Sequence, residues 1–153
     1  NIMLDSNHRP VIIDFGCASE LKDYKVPGDT NFAGTPQYMA PEAIQNKAED
    51  RRMVDFWAIG CLLHFLVSGE HLFDGDSDYL VMLKVEKADV EINERCPKET
   101  HDAINAFCEP DPSKRLGVQG CHQAKSHKFF KPIDFKFIGK LTPPDPTALE
   151  CYK

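Results

Sequence analysis

Met53-Val54-Asp55-Phe56-Trp57-Ala58-Ile59-Gly60-Cys61-Leu62-Leu63-His64-Phe65-Leu66-Val67-Ser68, closed by Gly69, is the stretch on which the fold turns. It is too long for a strand and apolar on nearly every face, so it predicts a helix at the centre of a helical body. Gly69 stands where a helix stop is expected. The run Met53–Val67 covers about 15 residues and carries Asp55 and His64, whereas a bilayer span needs roughly 20 apolar residues. A core helix is expected, not a membrane segment.

Downstream, Ser77–Lys87 reads as a second helix with Tyr79, Leu80 and Leu83 on its buried side and Val85 at the margin. Glu99–Cys108 is a third, with Ile104, Phe107 and Cys108 inward at i, i+3, i+4 spacing, and Pro110 and Pro112 end it. Gln119–His127 gives a short last helix. Past Pro132, the prolines at 143, 144 and 146 predict an extended surface tail. Upstream, Ile2-Met3-Leu4 and Val11-Ile12-Ile13 read as two short strands around the turn Asp5-Ser6-Asn7. Between Gly16 and Pro41 periodicity disappears, and Pro27-Gly28-Asp29 and Gly34-Thr35-Pro36 punctuate a loop long enough to be functional or disordered. The fold expected is mainly α with a short N-terminal β-hairpin.

Composition sets outer bounds. The 153 residues suffice for one domain with a core, and 42% hydrophobic with 27% charged residues is ordinary for a globular chain. A net charge of −6 disfavours a nucleic-acid backbone or an anionic membrane surface as partner. The basic stretch Lys125–Lys131 carries three rings and reads as a solvated helix end. Six cysteines (Cys17, Cys61, Cys96, Cys108, Cys121 and Cys151) show no CxxC spacing, so free thiols in a reducing compartment, the cytoplasm, are expected. Cys121-His122 lacks a second ligand pair, and no cysteine metal site is expected. No signal peptide is read at Asn1.

Asp14-Phe15-Gly16 follows an apolar strand directly. A strand can aim the carboxylate and the glycine frees the chain to turn, yet the tripeptide alone also reads as a plain strand end. Three further motifs follow in order: Ala40-Pro41-Glu42, preceded by Gly34-Thr35-Pro36-Gln37-Tyr38-Met39; Asp55-Phe56-Trp57-Ala58-Ile59-Gly60; and Asp111-Pro112-Ser113-Lys114-Arg115-Leu116. Together the four resemble the C-terminal lobe of eukaryotic protein kinases, a fragment of an α+β two-lobe fold. Asn31-Phe32-Ala33-Gly34-Thr35-Pro36-Gln37-Tyr38, Ser126-His127-Lys128-Phe129-Phe130 and Leu141-Thr142-Pro143-Pro144 narrow the resemblance to AGC-type serine/threonine kinases, and among them to the phosphoinositide-dependent protein kinases. On that resemblance, residues 1–130 form a partial kinase domain starting at the end of the catalytic loop, and 131–153 form an extended kinase tail.

The resemblance implies roles residue by residue. Asp14 matches the aspartate that holds Mg²⁺ on the phosphates of ATP, and Asn1 the asparagine that binds the second Mg²⁺. Thr35 matches the threonine of the substrate-binding loop. Glu42 and Arg115 resemble a buried ion pair anchoring the activation segment, and Asp55 a carboxylate capping the catalytic-loop backbone. ATP, Mg²⁺ and a protein substrate are the implied partners, with no nucleic acid and no direct membrane contact.

Two departures qualify this. Asn31 stands at the usual activating phosphosite, so either Thr30 takes the phosphate or the loop orders without one. The family's catalytic aspartate would lie five residues before Asn1, and the glycine-rich loop and its lysine further up. The chain by itself is therefore expected to be inactive. A kinase segment and a non-catalytic kinase-like scaffold are the two functions in view, and the joint presence of Asn1, Asp14 and Thr35 favours the kinase.

Overall fold

The computed structural model describes residues 1–18, 20, 34–48 and 50–143. Asn31, Thr30 and the tail from Pro144 onward lie outside the described residues. Two compact units form: a helical body of residues 20–132, and a unit joining residues 1–19 to the chain from Ile133 onward.

In the helical body, α1 spans Pro41–Ile44, α2 Arg52–Ser68, α3 Asp78–Glu86, α4 Lys98–Phe107 and α5 Cys121–Lys125. The helix predicted at 53–68 is α2. Asp50 accepts the Arg52 N–H ahead of its first turn. Its end is the left-handed Gly69, φ 77°, whose N–H bonds to Phe65 O at 2.8 Å. Met53, Trp57, Gly60, Cys61, His64 and Ser68 are buried, but Ile59, Phe65, Leu66 and Val67 are exposed, Leu66 by 70%. The expectation of burial on every face is thus corrected. Among the described residues, α4 and the Pro36–Tyr38 turn pack on α2 and leave this other side open.

α2 and α4 approach closely at Gly60. A Cβ there would lie 2.5 Å from Cys108 Sγ and 2.9 Å from Phe107 Cβ. Trp57 stacks on Phe73 with 5.7 Å between ring centroids, in a cluster that includes Cys61, Leu72, Val81, Val85, Ile104 and Cys108. A second cluster joins Phe107, Leu116 and Ala124, with Phe56 and Phe130 against it. Phe130 meets Phe107 edge-on at 6.3 Å, and Lys128 pairs with Asp102. The stretch read as a solvated helix end therefore contributes one ring to the core.

α3 buries Val85 and half-buries Leu83 as expected, but corrects the rest of its predicted face. Tyr79 and Leu80 are exposed, and Val81 and Val85 are buried. Ser77 caps the helix by accepting the Leu80 N–H at 3.3 Å, and the phase this sets turns the two valines, four residues apart, inward. α4 buries Ile104 and Phe107 as expected, followed by Cys108. The last helix is shorter than predicted: Gly120, φ 103°, breaks the chain before α5, and a 3₁₀ turn over Lys128–Phe130 follows it. The five cysteines among the described residues are free thiols. No helix there is long and apolar enough to cross a membrane.

The other unit starts with β1 (Ile2–Leu4) and β2 (Pro10–Ile12), antiparallel with Met3 opposite Val11. β2 begins one residue earlier than predicted. Asp5 builds the connecting turn, its Oδ1 accepting the N–H groups of Asn7 and Arg9 at 2.7 and 2.9 Å. The tail expected to be extended instead folds into turns over residues 134–141, including a 3₁₀ turn at Ile138–Lys140. Asp134 supplies the signal overlooked in the sequence, its Oδ1 accepting the Lys136 N–H.

The Gly60 approach leaves no room for a side chain. Gly60→Val should destabilise the helical body by about 1–3 kcal/mol or more, measured by urea unfolding followed through the single Trp57; an unchanged midpoint would refute the close approach.

Candidate functional site

The six residues singled out by sequence fall into two groups, one in each unit. In the hairpin unit the Ile13 N–H donates to Asn1 O at 2.9 Å. This extends the ladder one step past β1 and sets Asn1 beside the residue that precedes Asp14. Asp14 has φ 58°, left-handed backbone that is uncommon for a residue with a Cβ. Its Oδ1 accepts the Gly16 N–H at 3.1 Å, which offsets part of the strain and turns the chain out of the strand. Asn1 and Asp14 are both exposed. The open end of the hairpin thus carries one amide and one carboxylate, each just beyond the strands.

This donor set fits Mg²⁺. Hard oxygen ligands suit the ion, which keeps several waters and takes one or two carboxylates together with substrate phosphates. With Oδ1 engaged by Gly16, the second carboxylate oxygen of Asp14 remains without a hydrogen bond among the described residues. No group of three or more His, Cys, Asp or Glu side chains able to hold a metal occurs among them.

In the helical body, Thr35 precedes the Pro36–Tyr38 turn and its carbonyl accepts the Tyr38 N–H at 3.0 Å. Its side chain is exposed and makes no capping bond, and its hydroxyl has no hydrogen bond among the described residues. Beyond the turn, Met39 and Ala40 are buried and Pro41 opens α1, which brings Glu42 inward.

Glu42 meets Arg115 across 73 residues of sequence. Arg115 Nη1 donates to Glu42 Oε1 at 2.5 Å and Nη2 to Oε2 at 3.0 Å, a bidentate pair. The remaining donors are also engaged: Nη1 to Met53 O at 2.8 Å, Nε to Glu109 O at 2.9 Å and Nη2 to Pro110 O at 3.4 Å. Five N–H donors therefore meet five acceptors. The guanidinium is fully buried and lies 5.1 Å from the Trp57 ring centroid. Asp111 shapes the turn leading to Arg115. Ser113 Oγ and N donate to its carboxylate and Lys114 pairs with it, and these hold its pKa down at about 2.

Asp55 lies on the exposed side of α2, with no hydrogen bond or ion pair among the described residues. The surrounding protein desolvates its carboxyl and pushes the pKa up.

His64 carries a role that sequence reasoning did not assign. Its Nδ1 meets Glu70 O at 2.9 Å, and its Nε2 accepts the Asn93 N–H at 3.1 Å. A carbonyl can only accept and an amide N–H can only donate, so the proton sits on Nδ1 and the ring is neutral. His64 joins α2 to two loops that border a cleft of about 560 Å³, where Asn93 also bonds to Glu70 at 2.7 Å. The signal was a lone polar ring within an apolar run, which requires partners once buried.

Residues 1–130 match the family model for the protein kinase domain. The 3-phosphoinositide-dependent protein kinase 1 of Rattus norvegicus is 33% identical over 152 residues, covering 97% of this chain and 27% of that protein. A probable serine/threonine-protein kinase of Dictyostelium discoideum is 35% identical over 147 residues, covering 94% and 32%. The ribosomal protein S6 kinase alpha-4 of Mus musculus is 32% identical over 152 residues, covering 95% and 20%. The chain spans between a fifth and a third of the length of these relatives.

Removing one partner of the buried pair should cost about 3–5 kcal/mol. Arg115→Met should cost at least as much as Glu42→Met, since it also orphans three carbonyls. The double variant should be less destabilised than the sum of the singles by at least about 1 kcal/mol; simple additivity in a denaturation cycle would refute the coupling. Asp111 supplies a pH test. Its folded pKa is depressed, so its stabilisation is complete above about pH 4 and fades as pH falls through about 2. The stability difference between the parent and Asp111→Asn should close across that window, and a pH-independent difference would contradict it.

Proposed function

The chain belongs to the protein kinase family, and on that premise we propose that it forms the C-terminal lobe of an AGC-type serine/threonine kinase, from the end of the catalytic loop onward. The parent protein transfers the γ-phosphoryl group of ATP to serine or threonine hydroxyls of a protein substrate. The observation that carries this reading is the open end of the hairpin, where Asn1 pairs with Ile13 and the next residue is the strained Asp14. Mg²⁺ brought with ATP would supply positive charge to offset the charge developing on the phosphates. Asn1 and Asp14 are the residues that would hold it, Asp14 through the carboxylate oxygen that Gly16 leaves free.

Thr35 seats the substrate hydroxyl region with its free side-chain oxygen, on a turn whose position depends on the anchored Glu42. Glu42, Arg115 and Asp55 are structural in this reading, Asp55 capping backbone of the catalytic loop. Residues 1–130 serve as the partial kinase domain and 131–153 as its tail. Activation does not need phosphorylation at position 31, because Asn31 has no hydroxyl to modify. The segment alone does not transfer phosphate, because the base and the nucleotide lobe of the family are not among its residues.

The reading is tested on the full-length protein with ATP·Mg²⁺ and serine/threonine peptides. Asp14→Asn should lower the transfer rate by about 10²-fold or more while the unfolding midpoint stays near that of the parent. Undiminished transfer by Asp14→Asn would overturn the assignment of that carboxylate. Absence of transfer by the parent would overturn the kinase reading in favour of a scaffold.

A further inference from the structure

We propose that residues 133–143 form a strap latched to the hairpin by Arg9, and that this guanidinium controls whether the strap stays in place. Arg9 Nη1 donates to Gly139 O at 2.8 Å and Nη2 to Leu141 O at 3.3 Å. Successive tight turns present these two carbonyls. The Phe137 N–H bonds to Asp134 O, the Lys140 N–H to Phe137 O and the Leu141 N–H to Ile138 O, bonds that use neither Gly139 O nor Leu141 O. Arg9 caps the end of the 3₁₀ turn, where carbonyls are otherwise orphaned.

Arg9 is itself held ready. Its N–H donates to Asp5 Oδ1, its carbonyl accepts the Asp5 N–H at 2.9 Å, and Pro10 follows at the start of β2. Among residues 1–18 it alone is half-buried, the others being exposed. Of the strap's large apolar side chains, Phe135 alone is half-buried and the others are exposed. Phe137, Ile138 and Leu141 on the strap are 52%, 48% and 57% exposed, so each keeps about half its surface in water. Hydrogen bonds from a charged donor are the stronger kind, and two of them act together here. Lys140 lies 5.6 Å from the Phe137 ring centroid, a contact inside the strap that does not depend on Arg9. Release would therefore leave that contact in place while loosening the turns whose carbonyls Arg9 caps. A lysine at position 9 keeps the charge but lacks the planar fork that addresses two carbonyls at once. The latch stands independently of the phosphoryl-transfer reading.

Amide hydrogen exchange on the full-length protein, read by mass spectrometry, tests it. Arg9→Ala should speed exchange in peptides covering 135–143 by about three- to tenfold, with α4 peptides unchanged. Arg9→Lys should fall between parent and Arg9→Ala, nearer the latter. Unchanged strap protection in Arg9→Ala, or full protection restored by lysine, would overturn the proposal. Should Arg9→Ala also expose α4, the lysine variant decides: selective loss over 135–143 supports the latch, and parent-like protection refutes it.

Discussion

The helical body is organised by one cation. Arg115 is withdrawn from water and has five N–H donors, each of which needs an acceptor. The acceptors come from the carboxylate of Glu42 in α1, the Met53 carbonyl in the first turn of α2, and the backbone at 109 and 110 just after α4. A guanidinium satisfied this way forces separate segments into register, because displacing any of them leaves a buried charge or donor unpaired. Trp57 under the guanidinium carries the same constraint into the apolar cluster. The pair contributes geometric specification more than net stability, since a hydrophobic replacement of equal volume could hold the body as firmly.

The chemistry-bearing residues show a contrasting economy. Asn1, Asp14 and Thr35 are exposed, and the structure invests in their backbone rather than in their side chains. Asp14 is turned into the left-handed region and fixed there by Gly16, and Thr35 is fixed by the turn it introduces. On the proposed reading, the side-chain atoms left unengaged would serve ligands, as phosphoryl transfer asks of a protein: positioning and electrostatics, with little covalent work.

How much of this was legible in the sequence follows from the range of each interaction. α2 could be read because length, apolarity and the Gly69 stop are local and agree. The buried face of α4 was equally readable from its spacing. The face of α3 was not, because Tyr79 and Leu80 are the larger apolar residues, yet the phase set by Ser77 turns Val81 and Val85 inward. The exposed side of α2 could not be foreseen either, since which elements cover a helix is a tertiary fact. Glu42 and Arg115 were legible as a pair only through resemblance. Nothing local links positions 73 residues apart, and the three carbonyls completing the site carry no side-chain signal. Arg9 and His64 escaped for the same reason, as both act on backbone groups of distant loops.

The near-contact of α2 and α4 at Gly60 also bears on how this sequence can drift. Position 60 and the pair at 107 and 108 share one small allotment of volume. The Cys108 thiol donates to Trp57 O at 3.8 Å, and neighbouring Cys61 and burial raise its pKa, so it stays a protonated, unreactive filler of that space. Neighbouring changes can accumulate freely on the open side of α2. At this crossing they are linked: a larger residue at 60 becomes tolerable only after the opposite wall has shrunk, so the order in which substitutions arrive matters as much as their identity.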